Sequence, residues 1–282
     1  MDEDQNLYNL YKKLYGSKFK RTITIGDTTT GFRTSEITST DEIYDIYLKN
    51  EFHNGLYISV YEYDTPENIT RWLKSDGMKF EESAIKNCVV LRFREDIKMI
   101  KEEISKLPQI QKFMFIRRSI NLGHLNNAIK EAKKTHQFIK EEFGYDAFPI
   151  YNGFNECSLY IKTKELHLEN PTLTMFALNR IIEDHMKLET LFYKNIEPYS
   201  QMISLPGGQN TYTKLYTKPF EIDTPYEEII KNSSERKMND ILPKKQKNRK
   251  ISDIITKIDK RVSYNISQGN TNKKGYTLEE IL

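Results

Sequence analysis

An Asn-Gly pair at residues 152 and 153 predicts a β-hairpin within the segment YDAFPIYNGFNECSLYIKT. Asn-Gly readily adopts the positive φ angles of a tight hairpin turn, and both flanks carry β-branched and aromatic residues. Similar patterns predict further strands at 21–34 (two strands around Gly26-Asp27), 55–66, 88–93, 110–120 and 213–222.

Apolar residues recur at helical spacing over 4–15, 40–50, 97–107, 125–143 and 173–192. Ser39 or Thr40 can cap the second of these helices, and Gly144 follows the fourth, where a left-handed residue commonly ends a helix. Strands and helices do not alternate regularly, which favours an α+β fold over a doubly wound parallel sheet. We therefore expect mixed sheets with flanking helices.

Charge is unevenly distributed along the chain. The 282 residues carry 43 Lys and Arg against 40 Asp and Glu, a net charge of +3. Residues 231–282 hold 13 of the basic and 6 of the acidic residues, so the net charge of this part is +7 and that of residues 1–230 is −4. We predict an α+β domain over 1–225 and a basic, partly flexible tail over 226–282. A short helix is expected in the tail, where Ile251, Ile254, Ile255 and Ile258 keep helical period.

Five basic residues of the tail lie within the seven-residue run KKQKNRK: Lys244, Lys245, Lys247, Arg249 and Lys250. Such a run can neutralise the phosphates of a nucleic acid. It is equally typical of a solvated, partly disordered terminus, so both interpretations stay open.

The cysteine content favours a reducing compartment, because Cys88 and Cys157 can form neither a disulfide framework nor a four-thiolate zinc site. The five histidines show no zinc-ligand spacing. No run approaches the roughly 20 apolar residues that span a bilayer, and the acidic, then amphipathic start is unlike a secretory signal. We expect a cytoplasmic protein with no zinc and no membrane partner.

Acidic residues follow two of the predicted strands. Glu62 and Asp64 form an E-x-D pair, a spacing that suits oxygen ligation of a divalent cation or a strand-ending turn. Glu95 and Asp96 follow the strand that carries Arg92 and Arg94, and those arginines would repel a cation.

The LPGGQN segment at 205–210 contains adjacent glycines. Adjacent glycines can point backbone N–H groups at a phosphate, although such a segment is more often only a turn.

Four segments carry a family resemblance when they are taken in order: YISVYEYDTP at 57–66, NCVVLRFRED at 87–96, FGYDAFPIYNGFNECSLYI at 143–161 and IEPYSQMISLPGGQNTYTKLYTKPF at 196–220. Together they resemble the archaeo-eukaryotic primase superfamily, which includes the catalytic small subunit of archaeal DNA primases and plasmid primase-polymerases. The resemblance covers roughly residues 40–225. It implies a primase-type α+β fold and DNA as a partner.

The resemblance also implies which positions would hold metal. The two metal-binding aspartates of the family's D-x-D motif correspond to Arg92 and Arg94, with Glu95 and Asp96 the nearest carboxylates. The third metal-binding aspartate corresponds to Glu197. Metal ligation would thus fall to Glu197 and Asp96, and only in an active enzyme.

Nucleotide-binding positions follow from the same resemblance. The family's histidine corresponds to Ser158, its turn serine to Asn152, and the asparagine that ends R-x-P-G-S-x-N to Asn210. The motif's arginine becomes Ser204, and the phosphate-contacting lysine becomes Tyr212, with Lys214 two residues on.

Guanidinium groups at two metal-binding positions imply a degenerate active site, since a two-cation clamp needs carboxylates there. The expected protein is a DNA primase small-subunit-like component of DNA replication, noncatalytic or weakly active. It would bind single-stranded DNA or a primer–template and act beside a competent primase or helicase. Arg92 and Arg94 would contact phosphate directly or be exposed or salt-bridged strand residues.

Two alternatives stay open. One is an active primase-polymerase that uses Glu62, Asp64 and Glu197 as ligands for Mg²⁺ or Mn²⁺. The other is a single-stranded nucleic-acid-binding module that combines the basic run with stacking tyrosines such as Tyr151, Tyr160 and Tyr212.

Overall fold

The computed structural model describes residues 3–27, 31–50, 55–60, 62–63, 83–84, 88–164, 166–193, 202–238, 240–244 and 250–268. Within these ranges the chain forms eight helices and ten strands, an α+β architecture as the sequence predicted. The helices are α1 Glu3–Tyr15, α2 Thr40–Lys49, α3 Lys98–Ser105, α4 Gln109–Asn121, α5 Asn127–Phe143, α6 Pro171–Met186, α7 Tyr226–Ser233 and α8 Lys250–Ser267. The strands are β1 Lys18–Asp27, β2 Gly31–Ser39, β3 Leu56–Ser59, β4 Glu62–Tyr63, β5 Ser83–Ala84, β6 Cys88–Arg94, β7 Phe148–Tyr151, β8 Glu156–Lys162, β9 Met202–Ser204 and β10 Lys218–Pro219.

Two four-stranded sheets organise the fold, and every strand pair in them is antiparallel. The first sheet has the order β2-β1-β3-β9, and the second has the order β10-β7-β8-β6. β4 and β5 form a separate two-stranded pair. α5 packs on β6 and β8, so the face of the second sheet that it leaves uncovered is available to form a site.

The predicted hairpin is confirmed as β7 and β8. Asn152 Oδ1 accepts the N–H groups of Phe154 and Glu156 at 2.9 and 3.0 Å, so the asparagine holds the turn through its own side chain. Gly153 has φ +77°, and a Cβ there would lie 2.7 Å from the Leu215 carbonyl oxygen. Only glycine fits this approach of two backbones.

Helices α1 and α2 pack on each other, and α2 packs on β2 of the first sheet. Both helices form where the sequence predicted them, although Leu48 of α2 is exposed. Leu7, Leu10 and Tyr11 of α1 are buried, and α2 begins at the predicted cap, where Ser39 Oγ accepts the Glu42 N–H at 3.3 Å. The Glu42 carboxylate accepts the Thr38 N–H at 3.0 Å, which completes a reciprocal capping arrangement.

The strand predicted at 110–120 is wrong, because this segment forms helix α4. Its buried side chains are Ile116, Ser119 and Ile120, a spacing of three and four residues along one helical face. Phe113 and Met114 are exposed, so the apolar run that resembled a buried strand is partly a solvent-facing surface.

The predicted 173–192 helix ends early, at Met186, where Lys187 adopts a left-handed conformation with φ 54°. The following residues run beside β6: Thr190 accepts the Arg94 N–H through its carbonyl, and the Phe192 N–H donates to the Arg92 carbonyl, both at 2.7 Å. Leu191 forms an isolated bridge with Phe93. An extended segment therefore edges the second sheet where a helix was expected.

The helix expected in the tail is present and longer than predicted. α8 buries Ile251, Ile254, Ile255 and Ile258 and packs on α6. Buried Asp259 accepts the N–H groups of Glu169 and Asn170 at 2.9 and 3.0 Å and the Thr174 hydroxyl at 2.7 Å. The carboxylate thereby caps the start of α6, and α8 is joined to the body of the protein through buried polar contacts as well as apolar ones.

The remaining strand predictions hold in part. The pair over 21–34 forms as β1 and β2, the 55–66 strand as β3 over four residues, and the 213–222 strand as β10 over two. None of the described helices is both long enough and apolar enough to cross a bilayer.

Candidate functional site

A cavity of about 700 Å³ lies where the two sheets approach each other. The first sheet contributes Tyr57 and Ser204, and the second contributes Arg92, Arg94 and Glu156. α3 and α4 close another side, and the loop with Asn210 and Tyr212 completes the lining. Residues from all four segments that carry the primase resemblance therefore line one cavity, although as many as 155 positions separate them in the sequence.

The most heavily charged part of the lining is a cluster of two arginines and one glutamate, here called the Arg92–Glu156–Arg94 cluster. Strand alternation points Arg92 and Arg94 to the same face of β6, and antiparallel register sets them opposite Ser158 and Glu156 of β8. Glu156 Oε1 accepts from Arg92 Nε at 2.8 Å, and Oε2 accepts from Arg92 Nη2 at 3.0 Å. Oε2 also accepts from Nε and Nη2 of Arg94, at 2.8 and 2.6 Å.

Glu156 is ionised within this cluster. Burial by itself raises the pKa of its carboxyl, but the two guanidinium groups outweigh burial and lower the pKa from 4.5 to about 2. Because Glu156 carries one negative charge and the arginines two positive ones, the cluster retains an excess positive charge.

Burial distinguishes the two arginines. The Arg92 side chain is only 10% exposed, whereas the Arg94 side chain is 35% exposed and reaches the open part of the cavity. The Arg94 guanidinium lies over the Phe192 ring, 4.0 Å from its centroid. Glu156 and Phe192 thus hold Arg94 from two directions, through charge and through cation–π contact.

Glu95 and Asp96, predicted as the nearest remaining carboxylates, line the cavity and also serve the helices beside it. Glu95 Oε1 accepts the Ala128 N–H at 2.7 Å in the first turn of α5, and burial raises the pKa of Glu95 above its usual value. Asp96 Oδ1 accepts the Lys98 N–H at 2.8 Å at the start of α3. One oxygen of each carboxylate therefore accepts a helix N–H group.

Glu62, the alternative metal ligand, lies outside the lining of this cavity and is buried against Arg21. Arg21 Nη2 lies 3.5 Å from Glu62 Oε1, and Arg21 Nη1 donates to the Ser59 and Val60 carbonyls. Its intended partner Asp64 lies outside the described residues, as does Glu197. Glu62 of β4 therefore forms an ion pair with Arg21 of β1.

Of the four predicted nucleotide-binding residues, Asn152 and Asn210 line the cavity. The oxygens of both side chains are used locally: Asn152 holds the hairpin turn, and Asn210 Oδ1 accepts the Tyr212 and Thr213 N–H groups at 3.0 and 3.2 Å. Ser158 is buried beneath the cluster, with Oγ 3.5 Å from Glu156 Oε1. Lys214 is exposed and lies outside the lining.

The LPGGQN turn is structural. The N–H groups of Gly207 and Gly208 donate to the Thr217 and Leu205 carbonyls at 2.8 and 2.9 Å. Gly207 has φ +82°, and a Cβ there would come within 2.9 Å of the Leu7 side chain in α1. These glycines allow close packing and leave no amide N–H for a phosphate, so the phosphate-loop interpretation is wrong.

Of the three tyrosines proposed for base stacking, Tyr212 alone is suitably placed. It is 52% exposed, lines the cavity, and lies 6.0 Å from the Phe154 ring centroid at an angle of 38°. Tyr151 and Tyr160 are buried in the core, so their predicted stacking role is wrong.

Two residues of the basic run fall within the described residues. Lys244 Nζ lies 2.9 Å from Asp146 Oδ2, and Lys250 Nζ donates to the Glu142 carbonyl at 2.6 Å at the start of α8. Lys245, Lys247 and Arg249 lie outside the described residues. The described ends of the run are thus anchored to the segment around the end of α5.

The described residues fit a divalent cation poorly. Glu156 already faces two guanidinium groups, and Glu95 and Asp96 accept helix N–H groups. Across the described ranges, no three His, Cys, Asp or Glu side chains cluster as a metal site would require. The described lining therefore suits an anion better than a cation.

Sequence reasoning missed Glu156 and Phe192. Their partners lie far away in sequence, and the register of β8 against β6 brings Glu156 to Arg94. One signal was available for Glu156: it begins a largely apolar strand, and a carboxylate that such a strand buries needs a partner. Phe192 gave none, because it was assigned to a helix.

Comparisons with known proteins give similarities to solved structures only. The chain matches no protein-family model, and no curated protein matches it significantly. The structure of primase RepB' is similar with a TM-score of 0.47 and 11% identity, over 95% of this chain and 66% of that chain. The catalytic domain of primase RepB' in complex with initiator DNA is similar with a TM-score of 0.47 and 10% identity, over 97% of this chain and 100% of that chain. The polymerase domain from Mycobacterium tuberculosis Ligase D in complex with DNA is similar with a TM-score of 0.38 and 10% identity, over 81% of this chain and 88% of that chain.

Proposed function

We propose that this protein is a noncatalytic or weakly active, primase-like component of DNA replication. It binds single-stranded DNA or a primer–template in the cavity between its two sheets and acts in the cytoplasm beside a competent primase or helicase. The observation that carries the proposal is the Arg92–Glu156–Arg94 cluster. Two of its members, Arg92 and Arg94, are the residues that the sequence resemblance aligns with the two metal-binding aspartates of the family.

Electrostatics supports the noncatalytic part of the proposal. Two-metal nucleotidyl transfer needs carboxylates that hold two cations about 4 Å apart. Here two guanidinium groups flank the only carboxylate of the cluster, and a cation approaching Glu156 meets both. The same groups favour an anion, because a guanidinium bonds phosphate oxygens without a metal.

Aromatic groups in the lining support the nucleic-acid part. Tyr212, Phe154 and Phe192 border the same cavity as Arg94. Single strands are commonly held by cationic groups that track the phosphates and by aromatic rings on which bases stack. The cavity therefore offers both kinds of contact.

The active alternative has less support, because Glu62 lies outside the lining of the cavity and is buried beside a cation. Its Oε1 is 3.5 Å from Arg21 Nη2, and that guanidinium would repel a metal ion approaching Glu62.

The test combines synthesis and binding on the full chain. We expect no primer synthesis or extension on a single-stranded template with Mg²⁺ or Mn²⁺ above the level of a Glu197→Ala variant. We expect single-stranded DNA to bind in a fluorescence anisotropy titration. Incorporation that Glu197→Ala abolishes, while the exposed-site control Glu102→Ala leaves it intact, contradicts the noncatalytic proposal. Failure to bind DNA at low salt contradicts the nucleic-acid proposal.

A further inference from the structure

We infer that Arg94 forms a phosphate-binding site that works without a divalent cation. The ligand is a phosphate group of single-stranded DNA or of a nucleotide, held by a residue that the sequence resemblance aligns with a metal-binding aspartate. The inference rests on the proposed function and adds to it the recognising group, its positioning residues and the absence of a metal bridge.

Arg94 is held in one orientation by contacts within the protein. Its Nε and Nη2 both donate to Glu156 Oε2, and its plane lies over Phe192 at 4.0 Å. Two of the five N–H groups of a guanidinium are thereby used. Among the described residues, the others have no hydrogen-bond acceptor. A side chain that is otherwise highly flexible is thus oriented before any ligand arrives.

The three residues of the cluster have separate roles. Arg92 forms two hydrogen bonds to Glu156 and is nearly buried, so it neutralises the carboxylate from below. Glu156 is itself 4% exposed, so an incoming anion cannot contact its carboxylate directly. Arg94 is the member of the cluster that reaches solvent, and it presents the positive charge that remains. Arg92 and Glu156 are therefore positioning residues, and Arg94 is the contact residue.

Other charges also face the cavity and influence where an anion can sit. Glu95 and Asp96 line it on the α3 side, and each accepts a helix N–H group that offsets part of its charge. Lys101 of α3 lines the same side and supplies a further cation. A phosphate is therefore expected to sit toward Arg94 and Phe192, away from the two carboxylates.

Binding of labelled oligothymidylate to the full chain in EDTA tests the inference. Arg94→Gln should weaken binding about tenfold to a hundredfold, the value of a charge-assisted hydrogen-bonded contact. It should also make the slope of log K against log salt shallower by about 0.7, the contribution of one phosphate of a single strand. Arg94→Lys should keep the slope and lose part of the affinity, because it retains the charge without the planar fork.

Arg180→Gln is the matched control. It removes the same charge from α6, where Arg180 pairs with Asp184 at 3.5 Å and no residue lines the cavity. Urea unfolding of each variant verifies folding, which Arg94→Gln should preserve, since Arg92 keeps both bonds to Glu156.

Competition by dTTP in EDTA separates the two sources of phosphate. Displacement of the oligonucleotide that depends on Arg94 assigns the site to a nucleotide. No displacement, with Arg94 still required for oligonucleotide binding, assigns it to the DNA backbone.

The inference is overturned if Arg94→Gln binds as well as Arg180→Gln, or if binding vanishes in EDTA and returns with Mg²⁺. In either case DNA still binds, so the proposed function survives. Absence of DNA binding under every condition contradicts both the proposed function and the inference about Arg94.

Discussion

The buried carboxylate of Glu156 lies 2.8 Å from Nε of Arg92, a residue 64 positions earlier in the chain. The pair crosses from β8 to β6 and lies at the floor of the cavity, with Arg94 above it. The pair therefore joins two strands of the second sheet and also lies beneath the proposed phosphate site.

Replacing Glu156 with glutamine should destabilise the protein strongly. The change leaves the Arg92 guanidinium buried without a countercharge, a loss that costs about 3–5 kcal/mol in comparable buried pairs. Urea unfolding monitored by circular dichroism measures the loss. Glu102→Gln on the exposed face of α3 is the control, expected to shift stability by no more than about 0.5 kcal/mol. Equal midpoints for the two variants would show that the pair contributes little.

Lowering the pH should remove the contribution of Glu156 to the free energy of unfolding over a defined pH range. Its folded-state pKa is about 2, below the ordinary value of 4.5. The stabilisation is therefore complete above about pH 4.5 and is lost as pH falls toward 2. The stability difference between the wild type and Glu156→Gln should accordingly narrow below pH 4.5. A difference that stays constant across this range contradicts an ionised, arginine-paired Glu156.

Asp259 should be required for docking α8. Asp259→Ala removes the acceptor of the Glu169 N–H, the Asn170 N–H and the Thr174 hydroxyl, with an expected loss of about 1–3 kcal/mol. Asp253→Ala is the matched control, because Asp253 lies on the same helix, is exposed, and is 3.9 Å from Lys164. Thermal unfolding compares the two. A similar small loss in both would mean that apolar contacts alone hold α8.

Neutralising part of the basic run tests its role in DNA binding without removing α8, which deletion of 231–282 would do. Lys245→Gln with Lys247→Gln should make the salt slope for single-stranded DNA shallower by as much as about 1.4, or about 0.7 for each phosphate that is no longer neutralised. A Lys12→Gln, Lys13→Gln variant removes two exposed charges from α1 as the control. Indistinguishable slopes in all three proteins assign the run to a solvated surface.

Much of the fold followed from local chemistry. The hairpin at Asn152-Gly153 and the left-handed end of a helix at Gly144 each depend on a few neighbouring residues, and both form as predicted. Of the two residues predicted to cap α2, Ser39 is the cap. The strand prediction for residues 110–120 was wrong because the apolar residues of this segment divide between a buried and an exposed face of α4. Periodicity over so short a run does not separate a strand from a helix.

The candidate site was less accessible to sequence reasoning. The charged residues Arg92, Arg94 and Asp96 could be identified as unusual, because the resemblance places metal ligands in that segment. Their actual partners could not, since Glu156 and Phe192 reach them through strand register and through a chain segment that was assigned to a helix.

Near-neighbour interactions along the chain suffice to specify turns, caps and the longer amphipathic helices, and those features could be read from the sequence of this protein. The assembly of the cavity depends on contacts between residues tens of positions apart, which form only when β6 pairs with β8 and the two sheets approach each other. Tertiary structure alone determined that Arg92 is buried against Glu156 while Arg94, two residues away on the same strand face, remains open to a ligand.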